Sequence, residues 1–155
     1  MSDRAPHSLR PSAYDEATFL YEFTMTHKRV ILADDLEPVL ATVSELVSGS
    51  FDIMSTVSDG KSALELILEL QPDIAVLDIS MPGLSGLEVA RELKRRAMNT
   101  KIVILTVHED SGIIAACLSE GASGYVLKEL MESDLLFAMN EALAGRVFIS
   151  RLSSA

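Results

Sequence analysis

The feature that most constrains the fold is a regular alternation between short apolar runs and longer stretches with helical spacing. The apolar runs are RVILAD (29–34), FDIMSTV (51–57), DIAVLDI (73–79), KIVILTV (101–107) and GYVLK (124–128). Several are nearly continuous Val, Ile and Leu, which is typical of strands covered on both faces. The stretches between and after them predict helices over residues 38–49, 61–70, 87–96, 111–121 and 129–145. Five successive strand–helix units predict an α/β fold, a doubly wound parallel sheet between two helical layers.

The residues at the predicted helix ends agree with this reading. Asp59 is expected to cap the second helix, and Asp110 or Ser111 the fourth, because these side chains accept hydrogen bonds from free backbone N–H groups. Gly121 and Gly145 stand where the fourth and fifth helices are predicted to end.

Composition excludes several classes of function. The net charge of -10 argues against binding of this chain by itself to DNA or to an anionic membrane, since such binding needs clustered Lys and Arg. The single cysteine, Cys117, cannot form an internal disulfide, and its apolar neighbours indicate a buried thiol. No apolar stretch is long enough to cross a bilayer, and the N-terminus lacks a signal peptide, so we expect a soluble cytoplasmic protein.

Residues 1–27 differ from the rest of the chain. Pro6, Pro11 and several serines predict an N-terminal arm that is partly flexible. Within it, the segment 14–23 could be helical or extended and could dock on the domain or on a partner chain, and the sequence does not decide between these alternatives.

Three acidic residues follow two of the predicted strands. Asp34 and Asp35 close the first strand and Asp78 closes the third. Because ligand sites in such sheets lie at the carboxyl ends of the strands, where the strand order reverses, we expect these carboxylates to converge. Three anions at one spot repel one another unless a hard divalent cation such as Mg²⁺ sits among them. The alternative is that these acids simply face solvent or cap the following helices.

Two further strand ends contribute a hydroxyl and an amine to the same edge. Thr106 ends the fourth strand and Lys128 the fifth. Taken singly, each has an ordinary explanation in strand propensity or solvation. Together with the acids they provide what phosphoryl transfer to an aspartate requires, namely a carboxylate nucleophile, a cation site and groups that neutralise charge.

Four motifs, in this order and spacing, resemble those of bacterial two-component response-regulator receiver domains. They are ADD (33–35), VLDISMPGLSGLEV (76–89), LTVHED (105–110) and GASGYVLKEL (121–130). The resemblance covers about residues 28–150 and implies a flavodoxin-like fold with strand order 2-1-3-4-5. The ending LLFAMNEALAGRVFIS is similar to the NarL/LuxR-type subgroup, whose members usually continue into a helix-turn-helix domain. Residues 151–155 are then expected to begin a linker to an output domain absent from this chain.

The resemblance implies roles for the acidic residues. Asp78 is expected to accept the phosphoryl group. Asp35, Asp78 and the backbone carbonyl of Ser80 would bind Mg²⁺ directly, with Asp34 acting mainly through water.

The resemblance also implies a switch. Thr106 and Lys128 would bind oxygens of the new phosphoryl group, and Tyr125 would turn inward as the threonine moves. Pro82 and Gly86 would shape the loop after Asp78.

Several positions depart from the family pattern or vary within it. Glu129 follows Lys128 where many receivers have proline, although NarL-type members commonly lack it. Val107 is bulkier than the residue often found there and is expected to restrict access of phosphodonors. Ser80 and His108 occupy positions that tune the lifetime of the phosphoryl group, although His108 could equally be an exposed loop histidine.

The expected function is a phosphorylation-operated switch, not an enzyme beyond its own phosphorylation and dephosphorylation. A sensor histidine kinase is the expected partner, with homodimerisation on phosphorylation and DNA contact only through the missing domain. A stand-alone receiver acting by protein contact is the alternative. A phosphatase of the haloacid-dehalogenase type is disfavoured because its second acid would fall at Ser80, and a degenerate receiver because the full set of motif residues is present.

Overall fold

The computed structural model describes residues 15–18 and 27–153. Most of the N-terminal arm therefore lies outside the described residues, including the proposed docking of its segment 14–23. Within that segment, residues 16–18 are helical. No helix of the described ranges has the length and apolarity needed to cross a membrane.

The chain from residue 28 onward alternates strands and helices as predicted. The strands are β1 (Lys28–Ala33), β2 (Phe51–Val57), β3 (Ile74–Leu77), β4 (Lys101–Thr106), β5 (Gly124–Leu127) and β6 (Phe148–Ile149). The helices are α1 (Glu37–Val47), α2 (Gly60–Leu70), α3 (Gly86–Arg95), α4 (Ser111–Ser119) and α5 (Met131–Leu143). A 3₁₀ turn over Lys128–Leu130 precedes α5, so the last helix begins two residues later than predicted.

All strand pairs are parallel, and the order across the sheet is β2-β1-β3-β4-β5-β6. The predicted fold and the order 2-1-3-4-5 are thereby confirmed. The sixth strand was not predicted; it pairs with β5 through Gly124↔Phe148 and Tyr125↔Ile149. The chain order reverses between β1 and β3, so the carboxyl ends of these two strands form the switch point where such sheets bind ligands.

Two hydrophobic cores hold the layers together, one on each face of the sheet. Helices α2, α3 and α4 cover one face, and α1 and α5 cover the other. Successive strand residues alternate between the cores, as Ile31 and Leu32 do in β1. Each fully buried side chain of this size contributes about 1.5–3 kcal/mol to folding. The central strands are therefore held rigidly, and so are the residues at their ends.

The helix ends follow the predicted capping pattern. The Asp59 carboxylate accepts a 2.7 Å hydrogen bond from a backbone N–H in the first turn of α2. Asp110, rather than Ser111, caps α4. Gly121 and Gly145 follow α4 and α5 with φ of 97° and 83°, the left-handed backbone in which a side chain is costly. The local sequence thus fixes where the helices start and stop relative to the strand ends.

Candidate functional site

Asp34 and Asp78 lie side by side immediately after β1 and β3. The register pairs Ala33 with Leu77, and Asp78 N–H donates to the Ala33 carbonyl at 3.0 Å. Both acids are buried, with only 3% and 5% of their surface exposed. The sheet therefore fixes two carboxylates at adjacent strand ends, in a place where water screens them poorly.

Asp35 completes an acidic cluster with these two residues. It is exposed, yet the three carboxylates each offer an oxygen within 4.8 Å of the others. The structure thus brings together the three acids that the sequence places at the ends of two strands. The alternative that all three simply face solvent does not hold for Asp34 and Asp78.

Lys128 is the cation that the structure places against this cluster. Its Nζ lies 2.8 Å from Asp34 Oδ2 and 3.3 Å from Asp78 Oδ2, and its side chain is only 11% exposed. Thr106 pairs with Leu127 across β4 and β5, so the hydroxyl and the ammonium follow neighbouring strands. One ammonium against three carboxylates leaves the site with a net negative charge.

The pKa values record this imbalance. Burial raises the pKa of Asp78, the nearby Asp34 raises it further, and Lys128 offsets only part of the effect. Burial alone would lower the pKa of Lys128, but its pairing with Asp34 and Asp78 outweighs burial and raises that pKa. The lysine therefore stays charged, while the ionised form of Asp78 is less favourable here than in water.

The two carboxylate oxygens of Asp34 have different contacts. Asp34 Oδ1 accepts a hydrogen bond from Leu36 N–H at 2.9 Å. Asp34 Oδ2 is buried and accepts no hydrogen bond, because its close contact with Lys128 is an ion pair without hydrogen-bond angles. A buried acceptor of this kind, beside two more carboxylates, fits a hard divalent cation with oxygen ligands such as Mg²⁺.

The loop after Asp78 is held by tight backbone contacts. Gly86 N–H donates to the Ile79 carbonyl at 2.9 Å, and a Cβ at Gly86 would collide with the Asp78 carbonyl oxygen. The Pro82 carbonyl accepts from Gly60 N–H at 3.1 Å. Pro82 and Gly86 therefore dock this loop on the starts of α2 and α3.

The loop between β4 and α4 forms another side of the site. Thr106 is fully buried, and its Oγ1 accepts from His108 N–H at 3.3 Å. The Tyr125 side chain is fully buried, and its hydroxyl donates to the His108 carbonyl at 2.9 Å. Burial raises the pKa of Tyr125, which keeps the phenol neutral as a donor. In this structure the tyrosine points inward and is tied to the loop.

The three residues predicted to tune access and lifetime lie around the opening. Val107 is 68% exposed, and Ser80 is exposed with its hydroxyl 3.3 Å from His108 Nε2. His108 is half-buried in the loop after β4. Their effects on phosphodonor access and phosphoryl lifetime stay predictions.

Sequence reasoning missed two polar contacts beside this site. Ser150 Oγ donates to Asp134 Oδ2 at 2.7 Å, and Ser153 donates to the Glu109 carboxylate from both its N–H and its hydroxyl. The partners lie 16 and 44 residues apart. No local motif signals pairs at such separations, and they depend on the unpredicted β6.

Comparison with known proteins gives one consistent family. Residues 30–140 match the family described as the response regulator receiver domain. The nitrate/nitrite response regulator protein NarL of Escherichia coli K12 is 36% identical over 124 residues, covering 78% of this chain and 57% of that protein. The transcriptional regulatory protein DegU of Brevibacillus brevis is 30% identical over 123 residues, covering 78% of this chain and 52% of that protein. The chain thus spans just over half the length of these relatives.

Solved structures agree with the sequence comparison. The signal receiver domain of NarL from Mycobacterium tuberculosis superposes with a TM-score of 0.74 at 31% identity, covering 77% of this chain and 98% of that one. A LuxR-family two-component response regulator from Aurantimonas sp. SI85-9A1 gives a TM-score of 0.76 at 31% identity, covering 81% of this chain and 91% of that one. With the fold, the strand-end residues and these matches in agreement, the chain is similar to NarL/LuxR-type regulators and belongs to the response regulator receiver domain family.

Proposed function

We propose that this chain is the phospho-acceptor switch of a two-component system and that Asp78 carries the phosphoryl group. The observation that carries the proposal is the arrangement of Asp34, Asp78 and Lys128. Two buried carboxylates share one ammonium, and burial and the neighbouring acid both raise the pKa of Asp78. A site arranged in this way favours the binding of a cation and the conversion of the Asp78 carboxylate into an acyl phosphate.

In the proposed reaction, a carboxylate oxygen of Asp78 attacks the phosphorus of a phosphohistidine on a sensor kinase, or of a small phosphodonor. The O–P bond forms as the bond to the donor breaks, and the donor leaves with the bonding electron pair. Bound Mg²⁺ would neutralise charge on the phosphoryl oxygens. Asp35, Asp78 and the Ser80 carbonyl would hold this ion, with Asp34 acting mainly through water.

Lys128 and Thr106 supply the remaining contacts to the product. The ammonium already lies 3.3 Å from Asp78, so it can pair with an added phosphoryl oxygen with little movement. The Thr106 hydroxyl would leave the His108 N–H to donate to another phosphoryl oxygen. That change moves the loop between β4 and α4, to which Tyr125 is bonded, and alters the surface offered to partners.

The test is phosphoryl uptake from acetyl phosphate in the presence of Mg²⁺, followed by intact-protein mass spectrometry. The wild type should gain one phosphoryl group that hydroxylamine removes, since an acyl phosphate reacts with it. Asp78→Asn should gain none, and chelation of Mg²⁺ should abolish uptake by the wild type. Asp52→Asn, at the amino end of β2, is the matched control and should behave as the wild type. Equal labelling of Asp78→Asn and the wild type would refute the assignment.

The output of the switch is proposed to be transcriptional control through a helix-turn-helix domain beyond this chain. The match covers 57% of NarL and 52% of DegU, both regulatory proteins, and the net charge of -10 disfavours DNA contact by this chain itself. Residues 151–155 would begin the linker, and phosphorylation would promote a homodimer in the cytoplasm. A reading frame that continues past Ala155 into such a domain supports this output, whereas a native stop codon there supports a stand-alone receiver.

The chain is proposed to act on no separate substrate. Haloacid-dehalogenase-type phosphatases need a second acid two residues after the nucleophile, and Ser80 stands there. We expect no turnover of p-nitrophenyl phosphate with Mg²⁺. Sustained turnover that is lost in Asp78→Asn would contradict this part of the proposal.

A further inference from the structure

Residues 148–153, here called the C-terminal strap, run along the outer edge of β5. Phe148 N–H donates to the Ser123 carbonyl at 3.1 Å, and Ser150 N–H donates to the Tyr125 carbonyl at 2.8 Å. In the other direction, Leu127 N–H donates to Ser150 Oγ at 3.1 Å. The strap therefore occupies the sheet edge that another strand would otherwise be able to join.

The strap joins the two hydrophobic cores around this edge. Phe148 packs on the core beneath α1 and α5 and meets the Phe137 ring edge-on, with ring centroids 5.3 Å apart. Leu152 packs on the opposite core, the one that contains Tyr125. Ser150 lies between them, 2% exposed, and bonds to Asp134 at 2.7 Å. The first half of the strap is thus fixed by burial and by several hydrogen bonds.

The far end of the strap is held differently. Ser153 N–H donates to Glu109 Oε1 at 3.0 Å, and the Ser153 hydroxyl lies 2.8 Å from Oε1 and 3.0 Å from Oε2 of the same carboxylate. These bonds are exposed, so water can replace them at little cost. The strap therefore has a strong anchor at Ser150, a hydrophobic contact at Leu152 and a weak polar contact at Ser153.

The weak anchor is attached to the loop that the phosphoryl group would move. Glu109 follows His108, whose N–H donates to Thr106 Oγ1 and whose carbonyl accepts from the Tyr125 hydroxyl. A Thr106 hydroxyl that turns towards a phosphoryl oxygen gives up the first of these bonds. Because Glu109 directly follows His108, a displacement of the His108 backbone also moves Glu109.

We propose that the strap is a latch whose Glu109–Ser153 contact opens when the site is phosphorylated. This inference rests on the proposed function. In the unphosphorylated protein the latch holds residues 151–153 against the β4–α4 loop. In the phosphorylated protein the loop withdraws Glu109 and Ser153 detaches, while the packing of Leu152 on the core and the Ser150 anchor stay in place. The groove beside the strap, about 670 Å³ and lined by Glu129, Leu130 and Asp134 among others, then opens at one side.

The test is amide hydrogen exchange of the full chain, resolved by residue with NMR, before and after addition of Mg²⁺ and beryllofluoride as a phosphoryl mimic. Exchange at Ser153 should speed up about fivefold, the change expected when one exposed contact is lost. Exchange at Phe148 and Ser150 should not change. Glu109→Ala should give the fast Ser153 exchange without the mimic, and Glu129→Ala, which removes a groove carboxylate that does not bond to Ser153, should not.

The outcomes separate this inference from the proposed function. If the amides of residues 106–110 respond to the mimic and Ser153 does not, the switch operates without the latch and the inference is wrong. If Glu109→Ala leaves Ser153 exchange unchanged, the latch contact has no role and the inference is equally wrong. If neither region responds to the mimic, the proposed function fails and the latch fails with it.

Discussion

The two ends of the central sheet use similar residues in opposite ways. At the carboxyl ends of β1 and β3, Asp34 and Asp78 lie buried beside each other, and one oxygen of Asp34 accepts no hydrogen bond. At the amino ends of the same strands, Asp73 and Arg29 bond to each other and to the backbone. The first end retains electrostatic repulsion, and the second does not.

The amino end satisfies its polar groups one by one. Asp73 Oδ2 accepts from Arg29 N–H at 2.8 Å, and the Arg29 guanidinium donates to the Leu70 and Gln71 carbonyls at 3.2 and 2.7 Å. Thr100 donates to the Pro72 carbonyl at 2.7 Å. Such an arrangement adds stability because each of these groups has a hydrogen-bond partner.

The contrast supports the proposal that the carboxyl end of the sheet is the site of phosphorylation. Unsatisfied charge in a buried site lowers stability, and natural sequences retain it where function requires it. Changes at the carboxyl end should therefore alter both stability and phosphoryl uptake, and changes at the amino end should alter stability alone.

The largest expected effect is the loss of the shared cation. Lys128→Ala leaves the buried Asp34 and Asp78 without their partner, and we expect a loss of about 3 kcal/mol in the free energy of unfolding. Urea denaturation monitored by circular dichroism measures it. Lys101→Ala, at the amino end of β4, is the control, with an expected loss below about 1 kcal/mol. Equal losses of unfolding free energy in the two variants would contradict the proposed difference between the two ends of the sheet.

A change at the amino end should cost stability and spare the chemistry. Thr100→Val removes the donor to the Pro72 carbonyl in a buried place, so we expect a loss of about 1–2 kcal/mol. Uptake of phosphoryl from acetyl phosphate, measured below the unfolding transition, should match the wild type. Impaired uptake in this variant would show that the two ends are not independent.

Neutralising the acceptor should stabilise the fold. Asp78→Asn removes a carboxylate whose pKa burial and Asp34 raise, while Lys128 keeps its 2.8 Å ion pair with Asp34. We expect a gain on the order of 1 kcal/mol near neutral pH. Because the pKa of Asp78 is higher in the folded than in the unfolded chain, the wild type recovers stability as Asp78 takes up a proton on acidification. The advantage of the variant should shrink as the pH falls through the folded pKa, and an advantage that grows on acidification would contradict this sign.

The smallest effect is expected from an exposed charge cluster outside both ends. Hydrogen bonds from Arg95 and Arg96 lower the pKa of Glu92 to about 2 from an ordinary 4.5. The stabilising effect of these bonds is present above pH 4.5 and disappears as the pH falls towards 2. Because both arginines are exposed and Glu92 is only half-buried, solvent screens these contacts, and Glu92→Gln should shift the melting temperature by no more than about 1 °C at neutral pH. A larger shift would mean that exposed ion pairs contribute as much to the stability of this protein as buried ones.

Most of the fold and the members of the site could be predicted from the sequence. Continuous apolar residues predict strands such as β3. Once a parallel sheet is assumed, the strand-end positions of four residues follow, namely Asp34, Asp78, Thr106 and Lys128. The limit is reached where a contact depends on residues distant in sequence with no periodic signal.

The short β6 shows this limit most clearly. Its two residues carry too little pattern to distinguish a strand from a loop, and its place is fixed by Ser150 bonding to β5 and to Asp134. The hydrogen bond from Tyr125 to the His108 carbonyl could not be predicted either, because any residue can supply a backbone carbonyl as acceptor. The candidate site residues at the strand ends could be predicted from the sequence. The contacts between the site and the C-terminal segment could not.

The most direct test of the account compares the two ends in one ¹⁵N NMR titration of the wild type with Mg²⁺ and beryllofluoride. We expect large shifts for the amides of Asp78 and of residues 106–110, with the amides of Arg29, Asp73 and Thr100 unmoved. Unmoved signals at Asp78 and residues 106–110, or shifts that are equally large at both ends of the sheet, would contradict it.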